Sequence, residues 1–295
     1  ILFVFSFQSC DDELADELFV KGSYLVKNGW QEYKLKIEKD NTVVLPIAIA
    51  LNGTSNNSKD ITVNLVTDPD TLAAYNLDRF RNQTELYFEE IPETYYSFDN
   101  TSYVIPKGKN DVVANVVIDL NKIDYIYEEY VLPIKIASTD GALIGESKYS
   151  KVLAQLDFTN EFTGNYSGTG KLKQKNSQYE LNVDGVKLMG SSVNSCYFYA
   201  GNITRDTNID YYKYIVDITI DDNNNLTLSS KLPKLELNPI KAEINRKYRL
   251  HTTDNRYYIE TSTLELKYEY KDQDDTNITY EYSGTLTLIQ DVIKE

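Results

Sequence analysis

Histidine and cysteine are nearly missing from this chain of 295 residues, which holds one His and two Cys beside a single Met and a single Trp. With so few ligands, zinc sites of the usual His or Cys type are excluded. His251, in "KYRLHTTDNRYY", reads as a solvated or hydrogen-bonded side chain at a strand end, because a Thr or Asp beside it in sequence establishes no triad. Basic charge is short as well. Thirty Lys and Arg against 45 Asp and Glu leave a net charge of −15 and a pI near 4.6. Such a surface repels phosphate backbones and anionic lipid, and excludes a nucleic-acid partner. Glycine-rich phosphate loops fail too. "SGTGKL" (Ser167 to Leu172) has Asn165 where the first Gly belongs, Leu172 where Ser or Thr belongs, and a strand after it. Long apolar runs are absent from the opening stretch "ILFVFSFQSC", whose greasy part is far below the roughly 20 residues that span a bilayer. No cofactor is expected.

What that opening does contain is a short apolar segment, then Gln8 and Ser9, then Cys10 and the acids Asp11, Asp12, Glu13, Asp16 and Glu17. It reads as the tail of a signal peptide, and since the only methionine is Met189, the start and the charged leader are expected upstream. The arrangement resembles a bacterial lipobox, with Phe7 standing where Leu is usual, and implies that Cys10 is lipidated. Acyl chains contribute about 0.8 kcal/mol per buried methylene, and more than one chain anchors stably. The chain would then touch the membrane through its lipid anchor only. The acidic run resembles the signal that sends Bacteroidetes lipoproteins to the outer face of the outer membrane; its plain alternative is a solvated tether. With Cys10 acylated, Cys196 has no intrachain partner and reads as a small buried hydrophobe.

The 285 residues after Cys10 suffice for two domains, each with a core of its own. Apolar residues alternate at Tyr33, Leu35, Ile37; at Val43, Leu45, Ile47, Ile49; and at Ile61, Val63, Leu65, as half-buried strands do. One short helix is expected over "DPDTLAAYNLDRF", with Asp68 capping and Pro69 at the first helical position. Within it Asp70, Thr71 and Leu72 resemble a Bacteroidetes O-glycosylation site, but the first helical turn is the preferred reading. Strands resume at 103–105, 112–120, 130–136 and 152–158. After the polar, glycine-containing "DFTNEFTGNYSGTGKL", the pair "TLELKYEY" and "ITYEYSGTLTLIQ" predicts a hairpin around "KDQDDTN". "YELNV", "CYFYAGNI", "YYKYIVDITID" and "NNLTLSS" are read as further strands. "DDNNN" and "KDQDDTN" offer oxygens to Ca²⁺ but lack the glycine and closing glutamate of an EF-hand, so turns are preferred. The fold class is therefore all-β: an N-terminal Ig-like β-sandwich followed by a C-terminal antiparallel β-barrel or sandwich. The expected division is a signal-peptide remnant at 1–9, a lipidated acidic tether at 10–29, the sandwich at 30–160 and the barrel at 161–295.

No catalytic constellation is legible, and the aromatics are the remaining chemistry: 25 of 36 are Tyr, whose hydroxyl tolerates a wet surface. Sugar C–H faces stack on rings while nearby polar side chains bond the hydroxyls. The candidates are Trp30 in "KNGWQEY", Tyr95 and Tyr96 in "PETYYSF", and Tyr211 and Tyr212 in "DTNIDYYKY", with edge or core packing as the plain alternative for each. The lipobox with "CDDE", then "DPDTLAAYN", "IPETYYSF", "SYVIPKGKNDVVANVVID" and "YVLPIKIAS", resembles the N-terminal Ig-like domain of Bacteroidetes surface lipoproteins encoded in polysaccharide-utilisation loci. "GNYSGTGKL" and "LELKYEYKDQDDTNITYEYSGTLTL" resemble the small β-barrel domain of unknown function that closes such proteins. The resemblance implies a non-catalytic cell-surface accessory that binds glycan beside a TonB-dependent outer-membrane porin and its lid-like binding lipoprotein. The acidic surface favours neutral glycans over uronate or sulfate polymers. The alternatives are a surface adhesin or structural spacer recognising protein, and a glycoside hydrolase, which would need two facing carboxylates in a groove.

Overall fold

The computed structural model describes residues 21–53, 55–205, 210–231 and 235–294. Cys10, the signal-peptide remnant and the acidic run lie outside the described residues. The first half forms β1 (Gly22–Leu25), β2 (Gly29–Lys36), β3 (Thr42–Leu51), β4 (Ile61–Thr67), β5 (Glu89–Glu90), β6 (Tyr96–Phe98), β7 (Tyr103–Ile105), β8 (Asp111–Asp119), β9 (Tyr130–Asp140), β10 (Leu143–Ile144) and β11 (Lys151–Thr159). They make two sheets, ordered β10-β1-β3-β8-β6 and β2-β11-β9-β4-β7, with β5 added to β9. Alternation decides which side chains meet between them. Val43, Leu45, Ile47 and Ile49 of β3 are buried, as are Ile61 and Val63 of β4, in one core that runs from Leu25 to Phe158. Burial of each such side chain contributes about 1.5–3 kcal/mol. The all-β sandwich expected from sequence is what these residues build.

Two local expectations need correction. Gly22–Leu25, assigned above to the tether, is a strand: it pairs antiparallel with β3 and parallel with β10, and Leu25 is completely buried. Its single core residue is too brief a pattern to read from sequence. The helix α1 (Pro69–Phe80) forms as expected with Pro69 at its start, but Asp68 does not cap it through its side chain. The carboxylate is drawn instead to Lys135 Nζ at 2.7 Å and Lys151 Nζ at 2.8 Å, which project from β9 and β11. Thr71 donates its hydroxyl to the same carboxylate and accepts from Lys151 at 2.9 Å, which suits a structural first turn.

The second half contains β12 (Gly164–Gln174), β13 (Glu180–Asn182), β14 (Gly185–Ser192), β15 (Ser195–Tyr199), β16 (Ile215–Ile220), β17 (Leu226–Ser229), β18 (Leu237–Leu250), β19 (Tyr257–Lys271) and β20 (Thr279–Ile293). Their order, β17-β16-β15-β14-β12-β20-β19-β18, curls until β17 and β18 meet at a single bridge, Asn225 to Glu243. This is a nearly closed antiparallel barrel with its own core, from Phe162 to Leu286. Tyr166, Tyr268 and Tyr282 are fully buried there, and the Gly201 N–H donates to the Tyr268 hydroxyl at 3.0 Å. A Cβ at Gly284 would stand 2.4 Å from the Tyr282 hydroxyl, so glycine makes room for that ring. Cys196 is buried, donates to Asn160 Oδ1 at 3.3 Å, and burial pushes its thiol up to about 12.

The predicted hairpin over β19 and β20 forms with Tyr268 opposite Tyr282. The acidic loops are turns: Asp221 accepts from the Asn223 and Asn225 amides, and Asp272 from those of Asp274 and Asp275. "YYKY" is not a strand. Tyr211–Tyr214 is a 3₁₀ turn that leads into β16.

Candidate functional site

The site is built outward from β2 and β11, which pair in parallel with Trp30 opposite Leu153. Leu153 and Val131 offer an apolar surface on which α1 lays Leu72, and Phe88 completes a small buried cluster. Trp30 covers it from above. Tyr75, one turn beyond Leu72, stacks on the indole with centroids 4.6 Å apart and planes at 9°, while Phe88 tilts against it at 4.5 Å. Phe80 follows at 5.5 Å from Phe88. The segment carrying Phe88 has no long strand to hold it, and Asn76 supplies the tie. Its amide donates to the Phe88 carbonyl at 3.0 Å and accepts from the Phe88 N–H at 3.1 Å.

Two arginines close over this floor. Arg79 donates to the Tyr75 hydroxyl at 2.7 Å, lies 5.3 Å from the Phe80 centroid, and makes no ion pair among the described residues. Arg205 arrives from the barrel: its guanidinium is 5.2 Å from Phe88 and 5.7 Å from Tyr211, and donates to the Leu86 carbonyl at 3.2 Å. It also pairs with Glu129, which accepts from Gln155 at 3.4 Å. Cation–π contacts of this kind contribute about 0.5–2 kcal/mol each, more where water is excluded. The result is an interdomain cleft of about 320 Å³ lined by Trp30, Arg79, Phe80, Phe88, Glu129 and Arg205, with Leu86 and Gln155. It is an aromatic floor with hydrogen-bond donors and acceptors at its rim, within the size range of small-ligand sites. Glu129 is the single carboxylate in the lining, and Arg205 already engages it. The facing pair of carboxylates that glycoside hydrolysis needs is not present in this cleft.

The structure separates the sequence candidates. Trp30 lines the cleft, and Tyr211 is buried behind Arg205, its hydroxyl pushed to a higher pKa by burial. Tyr212, the next residue, is 40% exposed and sits beside Lys213. Tyr95 and Tyr96 pack against the sandwich core instead, with Tyr95 bonded to Asp124 at 3.1 Å. Phe80, Phe88, Arg79 and Arg205 were not anticipated. Two of the chain's six arginines reach this one cleft, and scarcity of arginine is the signal that could have pointed there.

Each half of the chain matches a family model. Residues 11–140 match a domain of unknown function, DUF4973. Residues 150–287 match a second model, whose description reads "-like, C-terminal". The DUF4973 match thus covers the sandwich from β1 through β9, and the second begins just before β11 and runs into β20. No curated protein matches in sequence. Among solved structures, a Bacteroides ovatus protein of unknown function superposes with a TM-score of 0.79 at 22% identity, over 93% of this chain and 96% of its own. A multidomain Bacteroides ovatus protein including DUF1735 gives 0.78 at 22% identity, over 92% and 95%. An auxiliary nutrient binding protein of Bacteroides thetaiotaomicron gives 0.76 at 20% identity, over 90% and 92%. At these identities the likeness is one of fold.

Proposed function

We infer that the protein is a non-catalytic accessory that binds glycan in the cleft between sandwich and barrel. The observation that carries this reading is the lining itself: a Trp, two Phe and two Arg converge with Glu129 and Gln155 as acceptor and amide. A pyranose ring can lay a C–H face on the aromatics while the rim bonds its hydroxyls. The name of the Bacteroides thetaiotaomicron relative, an auxiliary nutrient binding protein, supports the same reading. Lipidation at Cys10 would hold the chain on the outer face of the outer membrane, where an uptake porin and its lid-like lipoprotein would receive what it captures. Neutral polysaccharides or oligosaccharides remain the favoured class, given the acidic surface.

Affinity electrophoresis and calorimetry of the full chain against a polysaccharide panel test the reading. At least one glycan is expected to bind, and Trp30→Ala is expected to weaken it by tenfold or more, about the loss of one stacking contact. Silence across the panel, or binding that Trp30→Ala leaves intact, would remove the cleft from consideration. Labelling growing cells with a clickable fatty acid tests the anchor, since a Cys10→Ala variant must lose the label.

A further inference from the structure

Large apolar side chains crowd one end of the barrel sheet, where β18 and β20 end and β19 begins. Leu250 is 63% exposed, Tyr248 52%, Ile293 68% and Ile289 64%. Exposed apolar clusters of this kind are uncommon on soluble proteins and mark contact surfaces.

Register shows that both faces of the tip are greasy, because residues directly opposite across strands share a face. Leu250, Tyr258 and Val292 stand in one row, with Tyr248 two residues inside it. On the other face Ile289 lies opposite Thr261, and Ile293 opposite Tyr257. A protein partner usually covers one face of a sheet. Immersion in a layer suits a tip that is apolar on both. The charge around it runs against the rest of the molecule. Lys247, Arg249 and Lys294 make no ion pairs among the described residues, and Lys294 lies 4.8 Å over the Tyr258 ring. Asp254 is paired with Arg256 at 2.6 Å, Arg246 is shared between Glu260 at 2.6 Å and Glu161 at 2.7 Å, and Asp291 lies 3.8 Å from His251 Nε2. Among the described residues Lys247, Arg249 and Lys294 therefore outnumber the two carboxylates left uncompensated, a small positive excess on a chain of net charge −15.

We propose that this tip is a lipid-contact site that docks into the headgroup layer of an anionic bilayer. Tyrosine and aliphatic side chains enter the interfacial region while lysine and arginine meet headgroup phosphates. Depth is limited by the backbone. The β12 ladder ends at Thr287, so from Leu288 onward β20 has a free edge whose N–H and C=O groups cannot be carried into hydrocarbon. Contact is therefore interfacial. The acidic bulk of the chain, which predicts repulsion from such a surface, stands away from it when the tip points down.

Flotation of the full chain carrying Cys10→Ala, and hence no acyl anchor, tests the site with vesicles of phosphatidylcholine alone or with about 30 mol% phosphatidylglycerol, at about 50 and 500 mM salt. The protein is expected to float with the anionic vesicles at low salt and to lose at least about tenfold in partition at high salt or on Leu250→Asp with Ile293→Asp. Both side chains are exposed, so thermal unfolding should be unchanged; Lys247→Glu with Arg249→Glu provides a second variant that leaves the apolar surface alone and must show the same loss. Absence of flotation, flotation indifferent to both variants, or a dimer in sedimentation that the Asp variants dissolve would each overturn the proposal.

Discussion

Asp68 is a single carboxylate on which three elements of the sandwich converge. Its side chain is 4% exposed and meets Lys135 from β9, Lys151 from β11 and the Thr71 hydroxyl from α1. Burial alone would raise its pKa; the hydrogen bonds from the two ammonium groups and the hydroxyl outweigh it and hold the group at about 2. A carboxyl whose folded pKa is depressed contributes stability that is present above its unfolded value, 3.8, and lost as pH falls through the folded one. Stability should therefore decline between about pH 4 and pH 2 with a component that Asp68→Asn abolishes. At pH 7 the same substitution is expected to cost about 1–3 kcal/mol, below the figure for a fully buried pair because both lysines keep a third of their surface in water. Urea unfolding of both proteins across that pH range checks the prediction, and parallel curves would refute it. The sequence shows an Asp before a Pro, the usual look of a helix start, and nothing local reveals two lysines more than 60 residues away.

At the scale of elements, the joint between α1 and the Phe88 segment decides whether the cleft has a floor. Asn76 is 5% exposed and satisfies both backbone groups of Phe88. Asn76→Ala would leave a buried N–H and carbonyl unpaired, at a cost of about 1–3 kcal/mol by urea unfolding, and would release the ring that Arg205 stacks on. A loss below about 0.5 kcal/mol would mean the segment is held some other way. Strands with a full alternating face were legible: β3, β4, β8, β9, β11, β19 and β20 each place a row of aliphatics or tyrosines in a core. β18 was not. Ile244 is its one buried residue, Pro239 and Lys241 flank a register shift, and its outer edge meets β17 at a single bridge, so its sequence "LNPIKAEINRKYRL" carries no period. The 3₁₀ turn at Tyr211–Tyr214 misled for the opposite reason: Tyr211 and Tyr214 are buried and look like part of the strand that follows. Trp30 could be singled out because it is unique, whereas its partners Phe88 and Arg205 come from irregular segments that only the tertiary fold brings together.

At the scale of the molecule, the cleft exists only while sandwich and barrel hold their places, since Arg205 belongs to one and Trp30 to the other. Besides the bonds of Arg205 to Glu129 and Leu86, a contact away from the cleft lining joins them: Tyr127 donates its hydroxyl to Asp217 Oδ1 at 2.7 Å and sets its ring edge-on to Tyr197 at 4.9 Å. Val193 N–H adds a bond to Asn41 Oδ1 at 3.1 Å. Asp217 is 1% exposed, and burial raises its pKa above 3.8 despite the hydrogen bond from Tyr127. A carboxyl with a raised folded pKa fits better when neutral, so its favourable contribution is present at low pH and lost as pH rises through the folded value. Tyr127→Phe removes the donor that compensates the charged form. Its penalty should therefore be about 1–3 kcal/mol at pH 7 and shrink toward pH 4 as Asp217 takes up its proton. The same variant touches no residue of the cleft lining, yet should weaken glycan binding along with Trp30→Ala, because a loosened interface no longer fixes Arg205 over Phe88. Calorimetry at both pH values measures the first effect and titration with a bound glycan the second. If stability falls while affinity holds, the two domains bind independently and Arg205 is a bystander; if both fall together, the interface is part of the site.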